Sequence, residues 1–165
     1  FTALTSAYVV RLGWSNDWRP TAIPSFLWVS TALIVAGSLT MERARREARR
    51  GREGGSRRWL FFTLVVGLGF VAAQLLAWRQ LVAQGVYLKS NPHSSFFYVM
   101  TALHGLHVLG GILGLNLLLL RRAPQDDEGR EALARRRSAF DAVALYWHFM
   151  DGLWIYLFLL LFLWR

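Results

Sequence analysis

The chain has 165 residues, of which 55% are hydrophobic and 15% aromatic, with a formal net charge of +9. Arginine supplies nearly all the positive charge, since Lys89 is the only lysine, and the arginines fall in blocks between long apolar runs. That arrangement marks membrane topology rather than a nucleic-acid groove, so nucleic acid is not an expected partner. There is no cysteine, which excludes disulfides, thiolate catalysis and cysteine-ligated metals.

The first apolar run, Phe1 to Val10, meets Arg11 early. At about 1.5 Å per residue it reaches only half of a ~30 Å hydrocarbon core. It is expected to be the second half of a helix (about 1–11) whose first half precedes Phe1, and no signal-peptide pattern is read at the front. Four full spans follow, at about 23–41, 59–81, 96–120 and 140–164. The first is entered through Pro20 and Pro24, which suit a helix start. Each holds roughly twenty mostly apolar residues without strand-like alternation, so helices are expected rather than a barrel. The expected fold class is all-α: a polytopic transmembrane helix bundle forming a single domain over residues 1–165.

The connections differ in charge. Glu42 to Arg58 carries eight arginines against Glu42, Glu47 and Glu53, and Arg121 to Ser138 carries six more. The connections around Asp17 and Lys89 hold few basic residues. Basic loops stay cytoplasmic, so both arginine-rich loops are placed inside and Arg165 outside. Glu42 to Arg50 is expected to extend its helix with Glu/Arg pairs, and Gly51, Gly54 and Gly55 to end it. The Asp126 to Arg137 segment is expected to do the same.

Two spans carry polar residues of a kind that bilayers rarely tolerate: Thr101-Ala102-Leu103-His104-Gly105-Leu106-His107-Val108, and Leu145-Tyr146-Trp147-His148-Phe149-Met150-Asp151. Entering from outside near Phe96, His104 and His107 lie roughly 12 and 17 Å down. Entering from inside near Phe140, His148 and Asp151 lie roughly 12 and 17 Å up. The four therefore meet near the midplane. The residues alone leave two readings open. One is a structural polar cluster of His104, His107, His148 and Asp151 that sets helix register. The other is a functional centre: a haem held by His107 and His148 in a di-histidine electron carrier, or a proton relay ending at Asp151. A closed zinc site lacks the ligands.

Gly110 and Gly114 form a GxxxG that permits close helix approach, with Gly111 beside it. Gln74 and Asn116 are expected to hydrogen-bond between helices. Trp14, Trp18, Trp59, Trp78 and Trp164 fall near span ends as interfacial anchors. No phosphate loop, nucleophile elbow or paired-carboxylate site is present.

These motifs resemble a known family. Ala102 to Val108 resembles the "GFHGLHV" helix of subunit III of the haem-copper oxidases, and Tyr146 to Trp154 its "YWHFVDxxW" helix. Leu27 to Leu33 looks like the family's "LxNTxxL" segment, Gly85-Val86-Tyr87 with Phe96-Phe97 like "GxYGSxFF", and Phe1 to Arg11 like the end of the helix closing in "FFxxFFxAY". The likeness runs along the whole chain in order. It implies a five-helix form lacking the first two helices of seven-helix members, in a bacterial inner membrane. It implies an accessory subunit with no cofactor and no catalytic site of its own, packed beside a catalytic subunit I that holds the haems and copper. Partners would be subunit I, other oxidase subunits, membrane lipids and, in some settings, a larger respiratory supercomplex. The complex would reduce oxygen and pump protons. Quinol oxidase and nitric-oxide reductase accessory subunits share the motifs and remain alternatives.

Position by position, Arg121 falls where the family has an arginine contacting a lipid phosphate, which implies a bound phospholipid. Asp141 stands where the family often has glutamate. Ser30 replaces the asparagine of the "NT" pair, and Ala77 stands where an acidic residue commonly follows the residue matching Gln74.

Overall fold

A computed structural model describes residues 2–14, 26–85, 87, 92–120 and 130–163. Among them are five helices and no strand: α1 (Thr2–Trp14), α2 (Phe26–Arg49), α3 (Glu53–Ala83), α4 (Pro92–Leu120) and α5 (Arg130–Leu163). The segments Glu53–Ala83, Ser95–Leu120 and Leu133–Leu160 are long and apolar enough to cross a membrane. In a bilayer a backbone must satisfy its own polar groups, and a helix does so within one segment. Arg121, Trp18 and Trp164 lie outside the described residues.

The expected helical extension of α2 is present, and two of its Arg side chains reach back one turn to acids. Arg46 Nε donates to Glu42 Oε1 at 2.9 Å, and Arg50 Nη1 to Glu47 Oε1 at 3.5 Å. The Arg46 bond holds the Glu42 carboxyl below its usual range. Gly51 alone makes the turn, in the left-handed region at φ 72°. Gly54 and Gly55, expected to help end α2, instead belong to the first turn of α3. The connection from α2 to α3 thus shrinks to three residues. On the α2 side the Glu/Arg spacing supports the helix, while α3 starts helical despite Gly54 and Gly55 in its first turn.

Helices α2, α3, α4 and α5 form a ring in which each packs on two neighbours, and α1 lies outside it against α4. Each contact in the ring is antiparallel and keeps one register along its length. On α2 and α5, Arg45 meets Asp141, Ser38 meets His148, Thr31 meets Trp154 and Trp28 meets Phe158. On α3 and α4, Trp78 Nε1 donates to Thr101 Oγ1 at 3.1 Å, and Phe70 packs edge-on to His104. On α2 and α3, Thr63 pairs with Thr40 at 2.9 Å, and Gln74 Nε2 donates to Ser30 Oγ at 3.0 Å. Tyr8 of α1 packs edge-on against Phe96.

The core of the ring includes Phe70, Met100, Leu115, Trp154 and Leu157, all almost completely buried. Outward faces are apolar too: Leu106, Leu113, Leu145 and Phe149 are all more than 60% exposed. A helix apolar all round suits a lipid or protein environment on its outer side, not water.

Candidate functional site: the polar interior of the bundle

Trp147 is the pivot of the interior. Its ring lies in a slot made by glycines on three helices. A Cβ at Gly67 of α3 would stand 2.7 Å from the ring, one at Gly111 of α4 3.3 Å, and one at Gly37 of α2 3.4 Å. The predicted GxxxG works at the same interface. A Cβ at Gly110 would meet the Tyr146 hydroxyl at 3.3 Å, and one at Gly114 would meet Val143 at 3.3 Å. Close backbone approach lets Tyr146 Oη donate to the His107 carbonyl at 2.9 Å.

Around this pivot the four polar residues take different faces. His104 is fully buried between Phe70 and Trp154, with ring centroids 5.8 and 5.2 Å away, and neither of its ring nitrogens has a hydrogen-bond partner. His107 Nδ1 lies 2.7 Å from the Leu103 carbonyl, one turn back on its own helix. His148 Nδ1 faces α2 and pairs with Ser38 Oγ at 2.7 Å. Asp151, on the same face one turn along, also interacts with Ser38, while its Oδ2 is buried without a partner. The hydrogen bond to Ser38 therefore links His148 to α2, with Asp151 on the same face, and His104 and His107 do not share that link. Rotation about each helix axis gives the four residues different partners.

A ladder of polar groups results along α2 and α5. Glu42 Oε2 stands 4.0 Å from His148 Nε2, followed by Ser38 and then Asp151. Three residues beyond Asp151, farther from the arginine-rich end, Trp154 Nε1 donates to Thr31 Oγ1 at 3.1 Å. Ser38, Thr31 and Glu42 are the partners that sequence reasoning missed. The signal available was a row of small polar residues at helical spacing in an otherwise apolar span. Gln74 makes the expected interhelical bond, to Ser30. Asn116 turns instead to the Ile112 carbonyl of its own helix, at 2.9 Å.

The space between these groups is small. The interior cavity beside Trp147, Phe70 and Asp151 measures about 10 Å³ for the centre of a water molecule, far from the size of a porphyrin. Among the described residues, no group of three or more His, Asp or Glu side chains could hold a metal ion. The histidine positions and the cavity do not fit a haem.

Sequence comparison gives the family. A family model described as cytochrome c oxidase subunit III matches residues 6–165. The chain belongs to the cytochrome c oxidase subunit III family. Similar proteins include the probable cytochrome c oxidase subunit 3 of Nocardia farcinica, 37% identical over 162 residues, covering 96% of this chain and 77% of that protein. The Mycobacterium tuberculosis protein of the same description is 36% identical over 146 residues, covering 87% and 70%. Cytochrome c oxidase subunit 3 of Synechocystis is 32% identical over 169 residues, covering 99% and 69%. As a subunit III the chain is part of a terminal oxidase complex of the respiratory chain and an integral membrane protein. Of the motif-bearing helices of this subunit III, α5 carries Trp147 and the polar ladder that faces α2, and α4 supplies one of the three glycines of the Trp147 slot.

Proposed function

We propose that the chain is an accessory, non-catalytic and cofactor-free subunit III of a proton-pumping cytochrome c oxidase, which stabilises the catalytic subunit and holds phospholipid. The observation that carries the reading is the family match across residues 6–165. The interior supports it. Its polar residues serve helix-to-helix contacts, with His148 on Ser38 and Trp154 on Thr31, and the remaining space is water-sized. Contacts of this kind fix helix register in a bilayer, where apolar burial gives no preference between packing partners. The outer apolar faces of α4 and α5 offer area to a neighbouring subunit or to lipid.

The membrane is the bacterial inner membrane, with the arginine-rich ends cytoplasmic and the carboxyl end outside. Arg121, beside Arg122 just past the end of α4, is the site for a phospholipid headgroup.

Purification of the complex through a tag on this chain tests the whole reading. A haem- and copper-bearing oxidase subunit I is expected to co-purify, and the isolated chain is expected to show no haem band. Co-purification of a nitric-oxide reductase or quinol oxidase catalytic chain would reassign the complex, and a bis-histidine haem spectrum from the isolated chain would overturn the proposal. Native mass spectrometry of the same preparation is expected to show a bound phospholipid that Arg121→Ala loses.

A further inference from the structure

At the arginine-rich end of the bundle, an open pocket of about 360 Å³ lies between the last turns of α2, the first turn of α3 and the first turns of α5. It sits about one to two turns beyond the apolar part of each helix, near the membrane surface. Four guanidinium groups line it, from Arg45, Arg49, Arg136 and Arg137, against the carboxylates of Glu53 and Asp141.

Both carboxylates are already engaged. Asp141 accepts from Arg45 Nε at 2.7 Å and from Arg49 Nη2 at 3.1 and 3.2 Å. Glu53 accepts from Arg136 Nη2. Two positive charges are left over around one cavity. Arg136 keeps only 16% of its side chain exposed, and its Nη1 is buried with no hydrogen-bond partner. Arg137 has no carboxylate partner among the described residues. A buried charged donor without an acceptor is costly, and both carboxylates that line this pocket are already paired. One wall of the pocket is apolar, from Ala48, Leu133 and Phe140.

We propose that this pocket binds a phosphate-bearing anion, held by the guanidinium groups of Arg136 and Arg137. A phosphate offers several charged acceptors at once, and the planar fork of a guanidinium can engage two of them. The source is either a phospholipid headgroup, whose glycerol and upper chains would lie on the apolar wall, or a soluble phosphate. None of these residues is shared with the Arg121 site, and the inference does not depend on the type of oxidase.

The test uses the intact purified complex. In one arm, native mass spectrometry compares the wild type with Arg137→Gln and Arg136→Gln. Arg137→Gln breaks no ion pair among the described residues, so it separates loss of the ligand from loss of an internal contact. Arg135→Gln is the control, because Arg135 pairs with Glu131 on an exposed face outside the pocket, with 79% of its side chain exposed. In the other arm, the delipidated complex is titrated with inorganic phosphate, and with chloride at matched ionic strength, while the thermal midpoint is followed. A lipid ligand is expected as an adduct of phospholipid mass that survives Arg135→Gln and is lost in both pocket variants. A soluble ligand is expected as a saturable rise with phosphate whose apparent Kd weakens about tenfold or more in Arg137→Gln, as for one lost charge-assisted hydrogen bond. The proposal is overturned if the wild type shows neither adduct nor response. It is also overturned if phosphate acts no more strongly than chloride, or if Arg137→Gln behaves as the wild type does. A pocket filled by an acidic segment of another subunit would give the first of these results.

Discussion

Trp147 occupies a position that no single feature of its own helix marks out. The indole fits because Gly37, Gly67 and Gly111, each on a different helix, leave out a side chain where the ring passes. The GxxxG of α4 was readable as a close approach, since its spacing lies on one helix face. Gly37 and Gly67 were not, because an isolated glycine in an apolar span carries no spacing signal. A methyl group at residue 67 would stand 2.7 Å from a rigid ring that is boxed in on its other sides. Gly67→Ala is therefore expected to lower stability by about 1–3 kcal/mol, the usual effect of overpacking. Gly105→Ala, where an added Cβ meets nothing within 4 Å, is expected to be neutral or stabilising by up to about 1 kcal/mol. The thermal midpoint of each variant in detergent distinguishes them, and equal losses in both would contradict the slot. The same limit applied to the histidines. Rise per residue spaces them along a helix, but the face each one presents depends on how its helix is rotated, and only packing decides that.

At the scale of elements, helices α2, α3 and α5 each run farther into their charged connections than apolar length alone indicates. At about 1.5 Å per residue, the 34 residues of α5 reach about 51 Å, well beyond a ~30 Å hydrocarbon core. Hydropathy locates where a helix leaves the membrane, not where it stops. The extensions are held by charge, chiefly where Asp141 at the base of the α5 span bridges Arg45 and Arg49 on α2. These side chains are 41%, 30% and 56% exposed, so solvent screens them. Asp141→Asn is expected to cost no more than about 1 kcal/mol at low salt. That difference should shrink toward zero as ionic strength rises to about 1 M, where the screening length is about 3 Å. A loss that stays constant with salt would mean that Asp141 acts through packing or a neutral hydrogen bond. The neighbouring Glu42 carboxyl, lowered by Arg46, adds stability above its ordinary range that is lost only when acid protonates it. The contacts between α2 and α5 therefore differ in kind: the Trp154–Thr31 hydrogen bond is neutral and nearly salt-independent, whereas the charged extensions are tuned by solution conditions.

For the whole molecule, orientation follows from where the arginines lie, and the fold sharpens the test of it. Helix α3 joins the two ends in one continuous element of 31 residues, about 46 Å long. Arg57 and Arg58 follow its start, and its far end runs into a connection whose only basic residue is Lys89. If basic segments stay cytoplasmic, the Glu53 end is inside and the Ala83 end outside. The chain has no cysteine, so a single introduced thiol reports without background. Gly54 suits one reporter, because a side chain there meets nothing within 4 Å, and exposed Gln84 suits the other. In intact cells a membrane-impermeant maleimide is expected to label Gln84→Cys and to spare Gly54→Cys until the membrane is permeabilised. The reverse pattern would invert the molecule. It would place the four-arginine pocket outside, where the leaflet carries little anionic lipid to attract it, so the same two cysteines also bear on which phosphate that pocket could meet.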